Sequence, residues 1–143
     1  MQAPYTQLYL HLVWATWDRL PLVTSALEQR IYGAITAKCR ALRCDPLAIG
    51  CVEDHVHLLI RLHATVAVAT LVKHVKGSSS HLVTHEIAPD EFFKWQGSYG
   101  AFTLAKSDVP RIRSYVEHQK SHHADLTVWQ AWEETSTPEE AGE

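Results

Sequence analysis

Residues 53–62 read EDHVHLLIRL, and the alternation within them decides the architecture. Val56, Leu58, Ile60 and Leu62 fall on one side of an extended chain, and His55, His57, Leu59 and Arg61 fall on the other, because successive Cβ atoms of a strand point to opposite faces. The apolar side predicts a sheet face covered by helices. The other side sets two imidazoles a pleat apart and must be covered or used. Glu53 and Asp54 mark a short turn back to LAIGCV (47–52), a strand opened by Pro46. Upstream, YTQLYLHLVWAT (5–16) alternates in the same way, with Leu8, Leu10, Leu12 and Trp14 opposite Gln7, Tyr9 and His11.

Helical spacing fills the intervals. Ser25 with Glu28 three residues on has the form of a capping box, and Leu27, Ile31, Ile35 and Leu42 predict a helix over 24–42. Residues 65–85 predict a second helix with Val68, Leu71, Val72 and Val75 inward, weakened by Gly77 and three serines. The turn-rich IAPDEFFKWQGSYG (87–100) leads to a fourth strand, AFTLAK (101–106). Ser107 and Asp108 then cap a last helix from about Val109 to His123. The order β-α-β-β-α-β-α predicts an α+β, ferredoxin-like antiparallel sheet with the first two helices on one face.

The chain has 143 residues, enough for one domain, and 46% apolar residues exclude wholesale disorder. A net charge of −3 argues against a nucleic-acid partner until it is mapped. Asp125, Glu133, Glu134, Glu139, Glu140 and Glu143 all lie in the last nineteen positions, which hold no Lys or Arg. Residues 1–123 keep thirteen cations against ten anions, a surplus of three. This divides the chain into a body, 1–123, and an acidic tail, 124–143, whose end, STPEEAGE, is expected to fray. Cys39, Cys44 and Cys51 are odd in number with no CxxC spacing, which indicates neither a disulfide framework nor a zinc ribbon. Neither a signal peptide nor a membrane-length apolar run is present, so a cytoplasmic location and no membrane partner are expected.

Two constellations can carry chemistry. His55 and His57 share a strand face, as two ligands of one metal ion would, or as a polar pair on a solvated sheet would. On the last helix, Tyr115 and Gln119 stand four apart, and His118 and His122 join their stripe while Ile112 and Val116 point to the protein. The residues alone leave both readings open.

Together, EDHVHLLIRL, the lysine- and serine-bearing LVKHVKGSSSHL (71–82) and WQGSYGAFTLAKSDVPRIRSYVEHQKSHH (95–123) resemble the single-tyrosine transposases of the HUH endonuclease superfamily, which include insertion-sequence and REP-associated tyrosine transposases. The resemblance spans residues 5 to about 123. It implies a catalytic domain over 1–123, with a C-terminal helix that carries Tyr115 as nucleophile. His55, His57 and Gln119 would hold one divalent cation, Mg²⁺ or Mn²⁺. It also implies a metal-dependent endonuclease and strand transferase that cuts single-stranded DNA beside a hairpin. The products are a 5′-phosphotyrosine and a free 3′-OH, rejoined without a nucleotide cofactor, and the protein would act as a homodimer. Lys73, Lys76 and Arg111 are the candidate DNA contacts. Imidazole ligands favour transition metals, so strong activity with Mn²⁺ is expected. Core or dimer packing is the expected use of most of the tryptophans, and an exposed or supporting role is expected for His118, His122 and His123.

Two other functions remain to be separated from this one. A domesticated relative would bind hairpins without mobilising anything, but it tends to lose its nucleophile or a ligand, and here all four are present. A ferredoxin-like RNA- or ligand-binding module would place spaced aromatic residues on the open sheet face, where residues 55–61 place histidines.

Overall fold

A computed structural model describes residues 2–124 and 128–137. The strands β1 (Tyr9–Ala15), β2 (Asp45–Val52), β3 (His55–Arg61) and β4 (Gly100–Leu104) form one antiparallel sheet in the order β2-β3-β1-β4. Helices α1 (Ser25–Ala41) and α2 (Val68–His81) cover one face. The sequence-predicted α+β antiparallel architecture is therefore present, and the two central strands carry the residues that decided it.

The alternation does what it predicts on the helical side. Leu10, Leu12 and Trp14 of β1 and Val56, Leu58 and Ile60 of β3 pack against Ile31, Ile35, Leu71 and Val75. Burial of each such side chain contributes roughly 1.5–3 kcal/mol, which makes this face the main stabilising layer. The opposite face is covered as well. Helix α3 (Val109–Glu117) sets Ile112 and Val116 on Ala48 and Leu59, so every residue of β1 is buried. The side of the sheet that had to be covered or used is covered.

Three local expectations are corrected. The capping box at Ser25 does not form: Thr24 is the N-cap without a side-chain bond, and Glu28 instead accepts from Tyr32 Oη at 2.9 Å. The second helix ends its regular turn at His81 and continues to Ile87 as a π-helical segment. Its serines are compatible with the helix because Ser79 Oγ donates back to the Val75 carbonyl at 2.7 Å and accepts from Trp95 Nε1 at 3.0 Å. The last helix breaks at His118, whose backbone leaves helical geometry (φ −109°, ψ 31°), and resumes as α4 (Gln119–Ala124).

Two glycines permit close backbone approach. A Cβ on Gly50 of β2 would stand 1.8 Å from the Val116 carbonyl oxygen, so α3 lies directly on the sheet there. A Cβ on Gly100 would stand 1.8 Å from the Glu134 carbonyl oxygen, so β4 has a seat for the segment after α4. Most of the end expected to fray, 138–143, lies outside the described residues, but 128–135 pack back onto the domain, with Thr135 buried. Among the described residues, no helix is long and apolar enough to cross a membrane.

Candidate active site

The second face of the sheet, under α3, α4 and residues 128–135, gathers the chemistry. His57 is fully buried and His55 nearly so, because their strand is central and the face above it is roofed. Their rings lie 5.1 Å apart between centroids. Helix α4 brings His123, whose Nε2 is 3.1 Å from His55 Nε2, and the following segment brings Glu133. One Glu133 oxygen lies 2.6 Å from His57 Nε2 and 3.6 Å from His55 Nε2, and the other lies 2.9 Å from His123 Nε2. One donor atom from each of these four residues falls within 4.8 Å of the other three.

Tyr115 adjoins this group within the same chain. Its ring centroid is 5.8 Å from that of His57, and its hydroxyl donates to Glu133 Oε1 at 2.9 Å. The Trp129 backbone N–H donates to the same hydroxyl at 3.0 Å. Trp129 stacks on the phenol at 5.0 Å, and Trp132 meets it edge-on at 5.1 Å. The tyrosine is thereby 1% exposed. Gln119 is buried one turn on, with its amide Nε2 donating to the Tyr115 carbonyl at 2.9 Å and its oxygen 3.1 Å from His123 Nε2. The sequence candidates Tyr115, His55, His57 and Gln119 are all brought together.

The electrostatics follow from burial and from two carboxylates, Glu133 and Asp54. Burial, above all, lowers His57 to about 4, so its ring is neutral at pH 7. At His55 burial also opposes the charged form, but Asp54, 2.7 Å from Nδ1, and Glu133 outweigh it and raise the pKa. Burial would raise Glu133, yet His55 and His57 hold its carboxyl well below the usual range. Tyr115 is pushed up to about 12, chiefly by burial and then by the Glu133 charge.

A divalent cation fits this donor set. His57 Nε2 and Glu133 Oε2 are buried and 2.6 Å apart, yet neither has a hydrogen-bond partner among the described residues. Buried lone pairs without hydrogen bonds, converging on one point, are what a cation takes up. Three imidazoles with one carboxylate suit a first-row transition ion better than Mg²⁺.

The candidate DNA contacts are not brought together. Lys76 donates to the Gln96 and Ser98 carbonyls, and Lys73 is exposed on α2, in the helical layer of the other sheet face. Arg111 is exposed on α3 and lies over the Trp129 and Trp132 rings at 5.2 and 5.5 Å. Arg19, which the sequence reading did not single out, is aimed at the site by a turn with positive φ at Asp18 and Arg19. Its Nη1 is 3.5 Å from His55 Nδ1. Trp14 and Trp95 are core residues, whereas Trp129 and Trp132 belong to the site. His118 is exposed and bonded to the Ser114 carbonyl, and the His122 ring packs on Tyr115 at 4.8 Å.

His123 and Glu133 were missed as site residues. His123 had a signal, since it follows Gln119 by four and so shares its helical face. Glu133 had none, being one acid of a tail.

The family model described as "Transposase IS200 like" matches residues 4–119. A candidate transposase from Deinococcus radiodurans R1 superposes with a TM-score of 0.67 at 21% identity, covering 83% of this chain and 96% of its own. A REP-associated tyrosine transposase bound to a REP hairpin gives 0.65 at 13% identity, covering 86% of this chain and 73% of its own. At these identities the two structures show the shared fold alone. No curated protein sequence matches the chain. With a family model spanning both histidines, the tyrosine and the glutamine, the chain belongs to the IS200-like transposase family.

Proposed function

We propose that this transposase cuts and rejoins single-stranded DNA beside hairpins, with Tyr115 as the nucleophile and His55, His57 and Gln119 around one divalent cation, Mn²⁺ or Mg²⁺. His123 joins that group, and Glu133 completes it in the closed, DNA-free state. The observation that carries the reading is one carboxylate touching both halves of the machinery. Glu133 accepts from the Tyr115 hydroxyl at 2.9 Å with one oxygen and lies 2.6 Å from His57 Nε2 with the other. Nucleophile and ligand set are thus within one side chain's reach of each other.

A cation held here would neutralise charge on the scissile phosphate and polarise its P–O bonds. The chain's own residues set the rest. Tyr115 Oη forms a bond to phosphorus as the bond to the 3′ oxygen breaks, giving a 5′-phosphotyrosine and a free 3′-OH. Attack of a 3′-OH on that linkage restores the phosphodiester and the phenol, so no nucleotide cofactor is needed. Gln119 ties the Tyr115 turn to the ligand cluster through its two amide atoms. A homodimer and a cytoplasmic setting belong to the same proposal. Tyr115 faces the histidines of its own chain, so each protomer would carry a complete site.

The described state is closed. Tyr115 is 1% exposed, and the Glu133 carboxylate fills the anion position beside the imidazoles where a phosphate must come. Residues 128–135 therefore withdraw when DNA engages.

The test is incubation of the protein with hairpin-bearing single-stranded DNA and Mn²⁺, followed by a denaturing gel. A covalent protein–DNA adduct is expected, and Tyr115→Phe abolishes it while DNA binding persists. Binding to several hairpins with no adduct from the wild type would overturn the enzyme reading in favour of a hairpin-binding protein.

A further inference from the structure

His11 sits in the middle of β1, fully buried beneath the site on the face it shares with His57. Its neighbours are rings: His57 stacked at 5.0 Å, Phe102 at 5.7 Å, and Trp132 edge-on at 5.9 Å. Its Nε2 is 2.7 Å from His57 Nδ1, while its Nδ1 has no partner among the described residues. A leucine or phenylalanine would satisfy such a position without stranding a polar atom. The polar function of the side chain is spent wholly on His57.

That contact bears on the other edge of the His57 ring. A neutral imidazole has one N–H and one lone pair. If Nε2 is to offer its lone pair to a cation, the proton must be on Nδ1 and needs an acceptor there. His11 Nε2 is the acceptor within reach. The proton on His11 then belongs on its own Nδ1, so both rings carry the same tautomer. Outer-shell partners of this kind fix ring orientation and raise ligand basicity.

We propose that His11 is a positioning residue of the metal centre, accepting the Nδ1 proton of His57 and so aiming the His57 Nε2 lone pair at the ion. The inference rests on the metal reading of the proposed function.

Mn²⁺ binding, read from the loss of the free-ion electron paramagnetic resonance signal, tests it apart from activity. His11→Phe keeps a ring of similar size and removes the acceptor, and it should bind Mn²⁺ about 10–100-fold more weakly than the wild type. His11→Gln, which can accept through its amide oxygen, should recover part of the loss. Equal Mn²⁺ affinity in the wild type and a folded His11→Phe would overturn the positioning role while leaving the metal centre standing. No Mn²⁺ binding by the wild type would overturn both. Should the phenylalanine variant fail to fold, the wild-type protein still decides. In ¹⁵N-histidine spectra with saturating Zn²⁺, His57 should show its proton on Nδ1, and a proton on Nε2 would refute the assignment.

Discussion

At the scale of residues, the two buried imidazoles have a thermodynamic consequence that can be measured without DNA. Burial lowers His11 to about 3 and His57 to about 4. Below pH 6.5 the unfolded chain takes up protons that these folded rings refuse, so the unfolded state binds more protons and stability rises with pH across that window. Each ring contributes a slope of about 1.4 kcal/mol per pH unit between 6.5 and its folded value. His55, whose pKa is raised, works in the opposite sense, because its stabilisation is present at low pH and is lost as pH climbs through its folded value. The informative quantity is therefore the difference between two proteins. Thermal unfolding in EDTA between pH 4.5 and 7 should show a shallower loss of stability in His11→Phe than in the wild type. Parallel profiles would mean that His11 takes up its proton in the folded state. A companion prediction concerns His57→Ala, which should lose cleavage and metal dependence together. Mn²⁺-stimulated adduct formation in that variant would remove His57 from the ligand set.

At the scale of elements, the tyrosine helix is positioned by an absence. A Cβ on Gly50 would meet the Val116 carbonyl oxygen at 1.8 Å and its carbon at 2.9 Å, and both are backbone atoms that no rotamer change can move aside. Gly50→Ala must push α3 off β2, against the Arg113 bonds to the Leu47 carbonyl at 2.8 and 3.1 Å. A loss of about 1–3 kcal/mol is expected, with weaker adduct formation at temperatures where the variant is folded. Unchanged unfolding and unchanged adduct yield would show that α3 yields freely. The same contact shows where sequence reasoning reaches and where it stops. Alternation in β1 and β3 and helical spacing in α1 and α2 are local periodicities, so the sheet, its helical face and the histidine pair were legible. The spacing from Tyr115 to Gln119 was legible for the same reason. The break at His118 was not, because no glycine or proline marks it. Nor was Glu133, because its place depends on a seat at Gly100 across the domain, which no window of neighbouring residues records.

At the scale of the whole molecule, the charge division between body and tail sets two expectations that must be kept apart. A body surplus of only three positive charges predicts a shallow dependence of DNA affinity on salt. The acidic segment predicts something stronger than repulsion, because 128–135 close the nucleophile physically: Trp129 and Trp132 cover Tyr115, and Glu133 holds its hydroxyl. Deleting residues 125–143 should then raise single-strand affinity and, at saturating Mn²⁺, the adduct rate. Electrostatics and occlusion separate by salt. Screening shortens the reach of surface charge to about 8 Å at physiological ionic strength and about 3 Å at 1 M, so a purely repulsive tail would lose its effect as salt rises. An occluding segment keeps its effect in high salt. Gly100→Ala makes the same distinction with every charge retained, since its Cβ would collide with the Glu134 carbonyl and unseat the segment while the acidic residues stay on the chain. It should reproduce most of the gain seen on deletion, with brighter or shifted tryptophan fluorescence as Trp129 leaves the Tyr115 ring. A deletion effect that vanishes in high salt, together with a silent Gly100→Ala, would reduce the tail to a source of negative charge.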